Sequence, residues 1–208
     1  MATVAATPPT ADPTSSSRYE RFAGACAILT GVLGFLYSVA FVVLRQQVLY
    51  SLLLLVVGLL TICVLVALYQ RVQRVDASFA MLGLLLGLTG AIGTTVHGGY
   101  DMAAAIHPST TVTDLPSAID PRGLLTFGVA GLGLGVFAWL IAHPTSTLPR
   151  GLGYLGYIAA LLLVLLYLAR LIVVDPGNPL VLGPAALAGF VANPVWYVWL
   201  GLTLGRAR

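Results

Sequence analysis

The chain has 208 residues, of which 59% are hydrophobic and 8% are charged, and its formal net charge is +3. Soluble domains are about 45–50% apolar and about 25% charged, and a soluble core this apolar would leave too few polar groups to cover its surface. The composition therefore excludes an ordinary soluble domain and favours an integral membrane protein. The basic residues are all arginine and are scattered between apolar runs, so no nucleic-acid partner is predicted.

Residues 1–17 are rich in Ala, Thr, Pro and Ser and have little to bury, so they are predicted to form a disordered tail. They lack the basic start and apolar core of a signal peptide. Residues 18–208 are predicted to form a single transmembrane domain. The use of arginine without lysine, with abundant Ala, Gly, Leu and Val, suggests a GC-rich bacterial genome and hence the cytoplasmic (inner) membrane.

Six apolar runs are long enough to cross the ~30 Å hydrocarbon layer, which takes about 20 helical residues. The alternation of apolar and polar residues that a membrane β-barrel requires is absent. The predicted fold is therefore an all-α polytopic bundle of six transmembrane helices. The predicted spans are Phe22–Leu44, Val48–Tyr69, Ala77–Tyr100, Gly123–Ala142, Leu152–Val173 and Leu182–Leu204.

The distribution of arginine predicts the orientation of the bundle, because cytoplasmic loops carry an excess of basic residues. With the N-terminus inside, seven arginines lie on the cytoplasmic side and three, namely Arg45, Arg122 and Arg170, lie toward the outside. Both termini are therefore predicted to be cytoplasmic. The segment at about 103–122 becomes the one substantial external loop.

Glycines recur at close spacing within the apolar runs. Gly83 with Gly87 and Gly131 with Gly135 each form a GxxxG pattern. Small residues let helix backbones approach closely in lipid, so these patterns predict helix packing. The segment GLGLG at 131–135 follows no strand and is not predicted to be a phosphate loop.

Polar and charged side chains collect near the predicted external end of the bundle. His97 and Asp101 are four residues apart and share one face of the third helix. Arg170 lies inside the fifth span, where an ionisable residue needs a partner or water. The candidate ligand-binding residues are His97, Tyr100, Asp101, Asp120, Arg122 and Arg170.

Three interpretations of these residues remain open. Arg170 could pair with an acid only to fasten the fifth helix to the third, because structural ion pairs also concentrate charge. The group could instead line an outward-facing pocket for a polar ligand or a lipid head group. In the third interpretation His97, Asp101 and another acid bind a divalent metal for hydrolysis.

The metal interpretation has the least support, because metal ligands must converge on one point. His97, His107 and His143 are scattered along the chain, which also argues against a bis-histidine haem. Neither Cys26 nor Cys63 belongs to a CxxC pair, and both are predicted to be reduced. No metal or other cofactor is predicted.

Arg170 is predicted to face the bundle and to pair with Asp101, or failing that with Asp120. With a rise of ~1.5 Å per residue, the third and fifth helices bring Asp101 and Arg170 to similar levels. A carboxylate at that depth would remove part of the cost of placing an arginine in the membrane.

Asn193 and Pro194 fall near the middle of the sixth span. Proline lacks a backbone donor, so a helix kink is predicted here. Asn193 could donate to a carbonyl that the kink frees, or reach a neighbouring helix. A packing kink is the favoured interpretation, and a gating or binding role is the alternative.

Four stretches, HGGYDMA, DPRGLLTFG, YLARLIVVD and NPVWYVWLGL, resemble parts of uncharacterised bacterial six-helix integral membrane proteins. The resemblance covers the chain from about Arg18 onward. It implies a six-helix membrane fold and carries no activity and no site.

Two classes of function follow from these observations. The first is a membrane protein that binds or moves a small polar or lipid-like ligand at an outward-facing pocket. The alternative is a structural or accessory subunit that contacts a membrane protein partner. The sequence holds no convincing Ser-His-Asp arrangement, paired glutamates or nucleotide loop, and no acid lies near mid-membrane, so an enzyme or an ion-coupled transporter is disfavoured.

Overall fold

The computed structural model describes residues 13–107, 121–173 and 178–206. Across these residues the chain is helical without strands, and six helices are long and apolar enough to cross a membrane. The predicted all-α six-helix membrane bundle is confirmed. The helices are α1 (Pro13–Ser38, continued by a π-helical segment Val39–Leu44), α2 (Gln47–Val72), α3 (Ala77–Ile106), α4 (Pro121–Ala142), α5 (Arg150–Ile172) and α6 (Pro179–Gly205).

The ends of the helices differ from the predicted spans in two instructive places. The backbone of α1 begins at Pro13, before the predicted domain start at residue 18. Helix α3 continues past Tyr100 to Ile106, so residues 103–106 of the predicted external loop lie on a helix. Residues 1–12 of the predicted tail and residues 108–120 of the predicted external loop lie outside the described residues.

The six helices form a closed ring in chain order. Each helix packs against the next one along the chain, and α6 packs back against α1. Short connections such as 73–76 and 143–149 favour this arrangement, because they leave consecutive helices antiparallel and adjacent. A ring of six helices can enclose a cavity on its axis.

Both ends of the described chain lie at one end of the ring, where the backbones of Gly24 and Gly201 meet. We call this the terminal end and the opposite end the far end. The largest buried side chains, among them Leu68, Phe137 and Trp196, pack together in the half nearer the terminal end. The assignment of the terminal end to the cytoplasm stays a prediction.

Glycines set the closest helix contacts, as van der Waals association in lipid requires. A Cβ placed on Gly133 of α4 would lie 2.6 Å from the backbone nitrogen of Gly87 in α3. A Cβ on Gly98 of α3 would lie 2.5 Å from the backbone nitrogen of Leu55 in α2. These positions exclude any larger residue unless the helices move apart.

Three helices depart from α-helical hydrogen bonding in their far halves. The π-helical segments are Val39–Leu44 in α1, Leu124–Val129 in α4 and Leu187–Ala192 in α6. The segment in α6 ends immediately before Asn193, where Pro194 cannot donate a backbone hydrogen bond to the preceding turn. The predicted kink therefore falls where the regular helix is interrupted, although the bend itself stays a prediction.

Candidate ligand-binding site

A group of paired side chains joins α3 and α4 near the far end. The Asp101 carboxylate places Oδ2 3.4 Å from Nε2 of His97 and Oδ1 3.5 Å from Nη1 of Arg122. The other imidazole nitrogen, Nδ1 of His97, lies 3.1 Å from Oγ1 of Thr126. We call these four residues the far-end cluster.

The far-end cluster is held in place by the helices around it. The α-helical spacing of His97 and Asp101 puts both on one face of α3, and Pro121 starts α4 so that Arg122 and Thr126 face that side chain pair. His97 is only 4% exposed, because α3 packs tightly against its neighbours beside Gly98. The cluster therefore forms part of the bundle wall.

Two further residues extend the far-end cluster toward the membrane surface. The guanidinium carbon of Arg122 lies 3.9 Å from the ring centre of Tyr100, within the range of a cation–π interaction. Nε2 of Gln47 lies 3.5 Å from the backbone oxygen of Asp101, which ties α2 to the same place. Tyr100 is half-exposed, as an aromatic residue at a membrane interface would be.

The predicted ion pair between Arg170 and Asp101 is wrong. The Asp101 carboxylate is occupied by His97 and Arg122, and Arg170 forms no ion pair with an acid in the part of the chain that the structure describes. The reason is the ring order: α3 packs against α2 and α4, whereas α5 packs against α4 and α6. The alternative partner, Asp120, lies outside the described residues.

Arg170 instead lines a central cavity of about 230 Å³ to which all six helices contribute. Its guanidinium carbon lies 5.9 Å from the ring centre of Phe41 in α1. Each π-helical segment supplies wall residues, including Phe41, Thr126 and Gly189. Asn193 and Pro194 also lie in the wall.

Two polar atoms in this wall, Nε of Arg170 and Oγ1 of Thr30, are buried without a hydrogen-bond partner among the described residues. Other hydroxyl groups in the wall behave differently: Thr61 donates to the carbonyl of Val57 at 2.8 Å, and Thr94 donates to that of Gly90 at 2.9 Å. Buried polar groups in proteins are nearly always hydrogen-bonded. Among the described residues, these two atoms are the exceptions in the cavity wall.

The described residues contain no group of three or more His, Cys, Asp or Glu side chains that could hold a metal ion. His143 contacts Thr145 near the terminal end, with Nδ1 and Oγ1 2.8 Å apart, and so lies far from His97 along the bundle. Cys26 and Cys63 are free. The described part of the chain thus offers no geometry for the predicted metal-hydrolase alternative.

The structure sorts the predicted site residues into two places. His97, Tyr100, Asp101 and Arg122 lie together at the far end, whereas Arg170 lies in the cavity wall. The prediction missed Thr30 and Thr126. Thr126 follows Arg122 by one helical turn, a spacing that could have indicated its side of α4, but Thr30 resembles any other threonine in an apolar helix.

No protein-family model, no curated protein and no solved structure matches the chain. The class of protein is therefore defined by its fold alone: a multi-pass helical membrane protein with an internal cavity. The resemblance to bacterial six-helix membrane proteins stays a prediction.

Proposed function

We propose that this protein binds a small polar or lipid-like ligand in the central cavity. The observation that carries the proposal is that Arg170 Nε and Thr30 Oγ1 lie in the wall of one cavity, both buried and without a partner in the described part of the chain. An unsatisfied buried polar group costs about 1–3 kcal/mol, and more when it is charged. A ligand that accepts hydrogen bonds from these groups would remove that cost.

The helix geometry around the cavity supports the same proposal. Single π-helical turns interrupt α-helices at a cost in regular hydrogen bonding, and they occur frequently at functional sites. Here the three π-helical segments lie in α1, α4 and α6, and each contributes residues to the cavity wall. Distortions of this kind are expected where helices open around a ligand.

The far-end cluster supplies a wall of this site and not its ligand-binding groups. Its charges face one another, since Asp101 lies between His97 and Arg122. Thr126 belongs both to the far-end cluster and to the cavity wall, so the cluster braces the cavity on the side of α3 and α4. Arg170 is the cation that faces the cavity.

A cavity-filling substitution tests the proposal. Gly34 lines the cavity, and a Cβ added there would meet nothing within 4 Å, so Gly34→Leu should fill space without a clash. Gly183 of α6 is equally free of neighbours, but it is exposed and lies outside the cavity wall, which makes Gly183→Leu the matched control. Both changes add the same side chain to a helix.

The measurement is mass spectrometry of the intact protein after gentle purification from membranes, which detects non-covalently bound small molecules. The unchanged protein and Gly183→Leu should retain a bound species that Gly34→Leu loses. Equal retention by both variants, or no bound species in the unchanged protein under several detergents, would contradict the proposal.

A specific observation also favours the second candidate, an accessory subunit. A packed polar group at the membrane surface is what a structural role would produce, and the charges of the far-end cluster are mutually engaged. In that case a membrane protein partner should co-purify, and the cavity-filling variant should retain the partner as well as the unchanged protein does. Loss of the partner on Gly34→Leu would instead connect the partner to the cavity.

A further inference from the structure

The central cavity has two chemically different ends. Arg170 lies near the far end of α5, beside Phe41. At the other end Trp196 lines the cavity and donates from its indole nitrogen to the carbonyl of Leu152 at 3.1 Å. The α2 part of the cavity wall spans residues 54–65, which corresponds to ~17 Å along that helix. The cavity therefore runs from a cation near one membrane surface to an aromatic floor deep in the bundle.

The wall between these ends is mostly apolar in what it presents, apart from the hydroxyl of Thr30, which has no partner among the described residues. It contains Leu54, Leu134 and Phe137, and the hydroxyls of Thr61 and Thr94 are occupied by carbonyls of their own helices. Those threonines therefore offer mainly methyl groups. A volume of about 230 Å³ drawn out over this length is narrow and suits one extended acyl chain better than two.

The charge at the far end of the cavity has the opposite character. The Arg170 guanidinium has no ion-pair partner among the described acids, and Asp101 is held by His97 and Arg122. Arginine presents parallel N–H donors that match a carboxylate or a phosphate group. An anion at this position would meet Arg170 directly and would not compete with the far-end cluster.

We infer that the ligand is an amphiphile with one acyl chain and an anionic head group, bound with its head at Arg170 and its chain directed toward Trp196. This inference rests on the proposed function and adds the chemical class and the direction of the ligand. A free fatty acid has the required chemistry and is the probe for the test.

The test uses Trp196 as a contact reporter. Trp139 and Trp199 are partly exposed, and replacing both with Phe leaves Trp196 as the single tryptophan. The full-length protein is titrated in detergent micelles with a fatty acid brominated near the end of its chain, above the pH at which the carboxyl group ionises. Bromine quenches tryptophan fluorescence on contact, so saturable quenching would place the chain end at the cavity floor.

The head group is tested with two matched changes. The brominated alcohol of the same length lacks the charge, and it should bind roughly tenfold or more weakly than the acid, since hydrogen bonds to charged groups contribute about 1.5–3 kcal/mol. Arg170→Gln should weaken binding of the acid by a similar factor and leave the affinity for the alcohol unchanged. Arg170→Lys keeps the charge and should restore part of the affinity.

Controls separate failure of this inference from failure of the proposed function. Gly34→Leu should abolish saturable quenching by both probes, whereas a protein with Trp199 alone reports unspecific quenching from the micelle, because Trp199 is 37% exposed. If the acid and the alcohol bind equally well and Arg170→Gln changes neither affinity, the inference of an anionic ligand is wrong, while the proposal of a ligand-binding cavity is supported. If neither probe quenches Trp196 saturably in any correctly folded variant, both the cavity function and this inference are overturned.

Discussion

The far-end cluster and the central cavity share one residue, Thr126, but their charged groups differ in whether they have partners. In the far-end cluster Asp101 lies between His97 and Arg122, and each charged group faces an opposite or a polar one. In the cavity Arg170 faces space and has no described acid to pair with. A polar group with hydrogen-bond or ion-pair partners stabilises a helix bundle. A polar group without partners costs free energy, and a ligand-binding role can account for its presence.

The largest expected difference between the two regions concerns glycine. Gly98→Ala should destabilise the protein by about 2–3 kcal/mol, because the new methyl group would lie 2.5 Å from the backbone nitrogen of Leu55 and force α2 away from α3. Gly34→Ala, which faces the cavity, should instead stabilise by up to about 1 kcal/mol through helix propensity. Unfolding by SDS titration in mixed micelles measures both.

The neighbouring Gly99 provides a local control for that comparison. A Cβ there would lie 3.7 Å from the nearest side-chain atom, which is an ordinary contact, so Gly99→Ala should leave stability nearly unchanged. Equal destabilisation by Gly98→Ala and Gly99→Ala would show that the α2–α3 contact is looser than the geometry indicates.

The second comparison removes one charge from each region. Asp101→Ala should destabilise by about 1–2 kcal/mol, because it leaves Arg122 and His97 without their common acceptor in a partly buried place. Arg170→Leu should have no effect or should stabilise slightly, because it removes a cation that pairs with none of the described acids from a membrane-spanning helix. The same SDS unfolding assay, run without added fatty acid, measures the change in stability that each substitution causes.

A double-mutant cycle sharpens the assignment of the ion pair. Asp101→Ala combined with Arg122→Leu should show a coupling energy of about 0.5–1.5 kcal/mol, whereas Asp101→Ala combined with Arg170→Leu should be additive within about 0.5 kcal/mol. A larger coupling energy for Asp101 with Arg170 than for Asp101 with Arg122 would instead support the ion pair between Asp101 and Arg170 that was predicted from depth along the helices.

The smallest expected effect tests the link between the two regions. Thr126→Val removes the hydroxyl that contacts Nδ1 of His97 and should cost about 1 kcal/mol. Thr94→Val is the matched control in the same cavity wall. The Thr94 hydroxyl donates to the Gly90 carbonyl of its own helix, so its loss should cost less. Equal costs would mean that the contact between Thr126 and His97 contributes nothing to stability.

Much of the architecture follows from local sequence. Runs of about 20 apolar residues can satisfy their backbone hydrogen bonds in lipid only as helices, so the six spans and their approximate ends could be predicted. The four-residue spacing of His97 and Asp101 likewise determined that they share a helix face, and the structure places their side chains 3.4 Å apart. These conclusions need only the period of one helix and the thickness of one membrane.

The order of the helices around the ring was decided by tertiary packing. The depth of a residue in the membrane follows from its position along the helix, and depth alone predicted that Arg170 lies beside Asp101. The direction in which each helix face points depends on which glycine surfaces pack together. That packing places Arg122, and not Arg170, beside Asp101. The cavity has the same origin, because it exists only where six helices close on one another. The ion-pair partner of Asp101 and the central cavity both depend on how distant segments pack together, so neither can be predicted from the sequence of one segment.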